Sequence, residues 1–196
     1  MNSNPEIGFL VTGGSAGANL AAVLSLLARD NNLSPPLTGA FLSAPVLFSR
    51  YSIPEKFKSR WLAMEQNKSA PIFNMPIYEF IEGQSSLPLP DLSHPSHRDF
   101  TECYKPDPNS TLLTPILDPK GLKGLPRTYV VACGMDPLRD DAIIYEEVLR
   151  EAGVETKVQV YGGLPHCWWA VLPQLEASKK YEKDSLEGLK WLLRKD

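Results

Sequence analysis

Ser15 sits in the pentapeptide Gly13-Gly14-Ser15-Ala16-Gly17, with the apolar run "IGFLV" at 7–11 before it and "AGANLAAVLSLLAR" after it. A serine hydroxyl is a weak nucleophile unless a base, usually histidine, takes its proton, and the base needs a carboxylate to fix its tautomer and stabilise its charged form. The chain offers three histidines. His94 and His97 fall in the proline-rich "SHPSHRD", which reads as solvated loop, and an HxxH pair without a third ligand is poor metal evidence. His166, in "VYGGLPHCWW", directly follows a strand-like run, and Asp136, in "VVACGMDPLRDD", directly follows another. Nucleophile, acid and base then occur in the order Ser15, Asp136, His166, the chemistry being acyl transfer.

Each residue also has a plainer reading. "GGSAGAN" could be a helix N-terminus that holds an anion. Asp136 could be a helix cap, since Asp140 and Asp141 share that first turn. His166, next to Trp168 and Trp169, could be a satisfied core histidine. Cys167 is read as a small packing residue, because adjacent side chains rarely point at one another.

For these residues to meet, the elements carrying them must converge. "IGFLV" reads as a strand buried on both faces, and Ala16–Arg29, apolar nearly all round, as a buried helix. Further strands are expected at 38–48, 127–134 and 156–163. A helix with Pro137 inside its start and Gly153 at its end lies between the last two, and a final helix over 176–195 shows a stripe of Leu186, Leu189, Leu192 and Leu193. Strands alternating with helices imply a parallel α/β sheet of about four strands. The loops after its strands share one edge, where such sheets bind ligands, and Ser15, Asp136 and His166 all follow strands. Residues 49–126 break the rhythm. They are rich in proline and carry scattered aromatics, which fits a lid or binding insertion.

The composition of the 196 residues, 43% hydrophobic and 22% charged, is that of one domain with a sizeable core. The formal charge of −3 and the scattered lysines and arginines give no electrostatic support for nucleic-acid or membrane-surface binding. The longest apolar-rich stretch, 16–28, is too short to span a bilayer. The three cysteines, Cys103, Cys133 and Cys167, cannot all be bridged internally, and "MNSNPEIGFLV" has no basic region followed by a long apolar run. Both features favour a cytoplasmic location.

"GGSAGANLAA", "DPLRDDAIIYEEVLREAGV" and "VYGGLPHCWWA" together resemble the α/β-hydrolase fold-3 group, the hormone-sensitive-lipase-like esterases. The resemblance implies that Ser15 is the nucleophile, Asp136 the acid and His166 the base. It implies that the backbone N–H of Ala16 donates to an oxyanion, and that 49–126 forms part of a substrate-covering cap. Trp168 and Trp169 are expected to line an apolar substrate pocket. No metal or organic cofactor is needed, and the partner is a small or medium apolar ester. The chain departs from the family pattern at Gly14, where aspartate is common, and at Cys167, where glycine is common.

In that family several strands precede the serine, one of them followed by an HGG-type motif that supplies oxyanion donors, and no such motif occurs here. The chain is therefore expected to be a single partial domain over 1–196, the C-terminal portion of the fold, with an exposed strand edge at 7–11 open to association. A catalytically weak fragment and a ligand-binding, receptor-like member of the same fold are the competing readings. Receptors of this family have lost the histidine, which His166 retains.

Overall fold

The computed structural model describes residues 4–81, 107 and 109–194. Its sheet has four strands, β1 (Leu10–Gly14), β2 (Gly39–Ser43), β3 (Thr128–Cys133) and β4 (Thr156–Tyr161), all parallel and in chain order. Three long helices flank it: α1 (Ala16–Asp30), α5 (Arg139–Glu151) and α7 (Glu176–Leu192). Between β2 and β3 lie three short helices, α2 (Glu55–Lys58), α3 (Ala63–Gln66) and α4 (Met75–Ile81), and a 3₁₀ turn, Pro115–Leu117. The one-turn helix α6 (Trp168–Val171) follows β4.

Side chains alternate across the strands and feed two cores. On one face, Ala40 and Leu42 of β2 pack with Ala18, Ala21, Ala22 and Leu26 of α1 and with Ile144, Tyr145 and Leu149 of α5. On the other, Phe41, Tyr129, Val131 and Cys133 pack with Trp191 and Leu192 of α7. All six residues of β3 are buried, as befits an interior strand of a sheet covered on both sides. Two glycines permit close approaches within these layers. A Cβ on Gly13 would lie 2.1 Å from the Gly17 carbonyl oxygen, and one on Gly188 would lie 2.4 Å from the Tyr129 ring.

Several elements differ from the sequence reading. The first strand spans 10–14, not 7–11, because its ladder with β2 runs from Leu10↔Gly39 to Gly14↔Ser43, directly into the serine turn. Ile7 is exposed in the turn that precedes it. Strand β2 ends at Ser43, since Ala44 takes a positive φ of 46° and Pro45 has no N–H to donate. Helix α1 is buried on one side only. Leu20, Leu24 and Leu27, spaced by about one turn, are exposed. Leu186 and Leu193 of the expected α7 stripe are also exposed, because Gly188 centres the contact face on Trp191 and Leu192.

Part of segment 49–126 belongs to the main core. Ile53 and Phe57 are buried there, and the Phe57 ring meets Phe48 edge-on at 6.2 Å. Farther along, Met64 and Tyr78 form a small separate cluster with Leu138. His94, His97 and Cys103 lie outside the described residues. Among the described residues no helix is long and apolar enough to cross a membrane.

Candidate active site

Ser15 is the hinge between β1 and α1, with φ 55° and ψ −122°. For a serine this costs about 1–3 kcal/mol and persists only where neighbours over-determine it. They do so here. The Ser15 N–H donates to the Ser43 carbonyl of the adjacent strand at 2.8 Å, and the Ser15 carbonyl accepts from Ala18 N–H at 2.9 Å. Ala16 opens α1, so its N–H has no acceptor within the helix.

The loops after β3 and β4 bring the other two groups to this hinge. His166 Nε2 lies 2.9 Å from Ser15 Oγ, and His166 Nδ1 lies 2.6 Å from Asp136 Oδ2. The second carboxylate oxygen of Asp136 accepts from Leu138 N–H at 2.9 Å, which fixes the carboxylate plane. The two loops are tied together: Gly134 N–H donates to Tyr161 O and Met135 N–H to Leu164 O. A Cβ on Gly134 would come within 2.8 Å of the Gly162 Cα, so only glycine lets the loops lie this close. With Nδ1 donating to the carboxylate, Nε2 is left to accept from the serine hydroxyl.

His166 and Asp136 are both buried. Burial disfavours the charged imidazole, but the Asp136 hydrogen bond and the neighbouring Cys167 outweigh it and hold the His166 pKa above the ordinary value. The Phe73 ring lies over the imidazole, centroids 4.8 Å apart, and shields it from water. Cys167 adopts φ 48° and ψ 34°, the left-handed conformation that glycine occupies without penalty. Strain of about 1–2 kcal/mol at this residue exceeds the entropic cost of a glycine, so Cys167→Gly should stabilise the fold by up to ~1 kcal/mol. A rise in the urea unfolding midpoint is the expected measurement, and a fall would contradict it.

Above Ser15 opens a cavity of about 490 Å³. Its walls are mostly apolar: Leu20 of α1, Val46 and Phe48 after β2, Phe73, Tyr78 and Ile81 at α4, and Leu112 and Leu113. Size and lining suit a small organic ligand. Trp168 and Trp169 do not line it, contrary to the sequence reading. The left-handed turn at Cys167 sends α6 toward α7, where Trp168 is fully buried against Tyr161 and Trp169 stacks on Tyr181 at 3.9 Å.

Three polar residues near the site had no role in the sequence reading beyond, for Asp140 and Asp141, a place in the first turn of a helix. Asn19, a polar position inside the apolar α1, lines the cavity. Asp140 accepts from Leu62 N–H and Ala63 N–H, each at 2.7 Å. Asp141 accepts from Leu47 N–H, Phe48 N–H and the Trp61 indole N–H. Neither aspartate caps α5, because both look outward to the segment after β2. Their signal in the sequence was charge at the start of a helix that must pack on the sheet.

Residues 4–170 match the model of the alpha/beta hydrolase fold family. An AB hydrolase superfamily protein of Schizosaccharomyces pombe is 36% identical over 193 residues, 98% of this chain and 51% of that protein. A versiconal hemiacetal acetate esterase of Dothistroma septosporum is 34% identical over 186 residues, covering 94% and 51%. Among solved structures, vibralactone cyclase superposes with a TM-score of 0.82 at 29% identity, covering 98% of this chain and 51% of that one. The chain spans about half the length of these relatives.

Proposed function

The chain belongs to the alpha/beta hydrolase fold family, and from that premise we propose that it carries the catalytic centre of a serine carboxylic-ester hydrolase. The observation that carries this reading is the continuous hydrogen-bonded series from Ser15 Oγ through His166 to Asp136. In the proposed reaction Ser15 Oγ attacks the acyl carbon while its proton passes to His166 Nε2. The tetrahedral intermediate expels the alkoxide, which takes that proton, and an acyl-serine remains. A water then attacks the acyl-serine, giving a proton to His166, which returns it to Ser15 Oγ as the acid departs. Asp136 holds the ring in the productive tautomer throughout. The Ala16 N–H, at the positive end of α1, donates to the developing oxyanion.

The apolar cavity beside Ser15 fits an ester with a small or medium apolar group, and within segment 49–126 the part that carries Phe73, Tyr78 and Ile81 acts as a cap that forms one wall. The esterase name of a relative 34% identical supports ester hydrolysis as the reaction. A fluorophosphonate probe tests the reading, since it phosphonylates only an activated serine. Labelling of the wild type that is lost in Ser15→Ala is expected. A folded wild type that takes up no probe at Ser15 and leaves p-nitrophenyl butyrate intact overturns it.

A further inference from the structure

Asn19 lies one helical turn beyond Ser15, so its side chain rises from the same face of α1 as the serine. Its backbone N–H donates to the Ser15 carbonyl, which ties it to the serine hinge. Its side-chain nitrogen donates twice, to the Val46 carbonyl at 2.8 Å and to the Leu113 carbonyl at 2.7 Å. Those carbonyls come from segments far apart in the chain, one just after β2 and one just before the 3₁₀ turn. Val46, Leu113 and Asn19 all line the cavity. Neither belongs to a strand or helix whose ladder would hold it, so the amide, together with the Ser49 N–H to Thr114 Oγ1 hydrogen bond at 3.3 Å, ties the two segments to each other.

An apolar residue at position 19 would fill the space equally well, and the surrounding sequence is apolar. Only a side chain with two N–H donors and little reach can bind two carbonyls at once at this depth. We propose that Asn19 is the specificity-determining residue of this site: by pinning the Val46 and Leu113 walls it limits the size of the apolar ester group admitted beside Ser15. The proposal rests on the ester-hydrolase reading only for the identity of the ligand.

Asn19→Leu keeps the volume and removes both donors. With p-nitrophenyl esters from acetate to octanoate, the variant should raise the octanoate-to-acetate ratio of kcat/KM by about tenfold, through KM, the scale of a methylene or two in an apolar pocket. A second readout needs no turnover. In a Ser15→Ala background, thermal stabilisation by methyl alkyl ketones should shift toward the longer ketones when Asn19→Leu is added. Asn19→Ser, smaller and with a single donor, serves the same comparison if Asn19→Leu does not fold. Ester and ketone profiles that keep the wild-type shape in these variants overturn the proposal. If no ester is hydrolysed and yet ketone preference follows position 19, the hydrolase reading falls and the role of Asn19 stands.

Discussion

Asp136→Asn should lower kcat by about 10⁴ with little change in KM or in stability, because the substitution preserves shape and reverses one hydrogen bond. Asp136 uses both oxygens, one for Leu138 N–H and one for His166 Nδ1. An asparagine that keeps its oxygen on Leu138 N–H must turn its NH₂ toward the ring. The imidazole then moves its proton to Nε2, which faces Ser15 and can no longer accept. The loss corresponds to about 5 kcal/mol of barrier. Were Asp136 only a helix cap, asparagine would cap about as well, and neither stability nor kcat would fall appreciably. The pH profile separates the two further. Hydrolysis needs neutral His166, so kcat/KM should rise with pH through a pKa that lies above the ordinary imidazole value. Asp136→Asn removes a partner that raises that pKa and leaves the burial that lowers it. Residual activity should therefore titrate at lower pH, and an unmoved midpoint would count against the proposed role.

The three residues could be singled out from sequence because topology does much of the positioning. In a parallel sheet every strand delivers its following loop to one edge, so "strand, then Ser", "strand, then Asp" and "strand, then His" place the residues near one another without knowledge of any loop. The structure puts them within hydrogen-bonding distance. What the pattern could not give was set by contacts between distant segments. The exposed Leu20, Leu24 and Leu27 have the composition of a buried helix, and only neighbouring elements decide which side of α1 is covered. Trp168 and Trp169 follow His166 directly, but the positive φ of Cys167 turns them into the core. Apart from those of α1, the residues that line the cavity come from stretches with no periodicity to read, and Asn19 gains its partners from segments that nothing in α1 announces.

Asp141→Ala should cost about 3–5 kcal/mol, because it strands three buried donors at once, each worth roughly 1–3 kcal/mol when left unpaired. Those donors are Leu47 N–H, Phe48 N–H and the Trp61 indole, so one carboxylate joins the start of α5, the cavity wall after β2 and the segment leading into α3. Against a total stability of typically about 5–15 kcal/mol, such a loss is close to unfolding. Asp141→Asn tests the same contact more gently, since its single oxygen can keep the two backbone donors while its NH₂ faces Trp61. The pair also has a pH signature. Burial is the largest influence on Asp141 and pushes its pKa up to about 7, with repulsion from Asp136 adding to it and the three hydrogen bonds opposing it. In the unfolded chain the same carboxyl titrates near 3.8. Between these values the unfolded state has shed a proton that the folded state keeps, so the contribution of this group is fully present below about 4 and falls as pH rises to about 7. Asparagine cannot titrate. Urea unfolding should therefore show wild-type stability declining relative to Asp141→Asn across that window and running parallel to it above, and parallel curves throughout would mean that the buried carboxylate is already ionised and held so by its three donors.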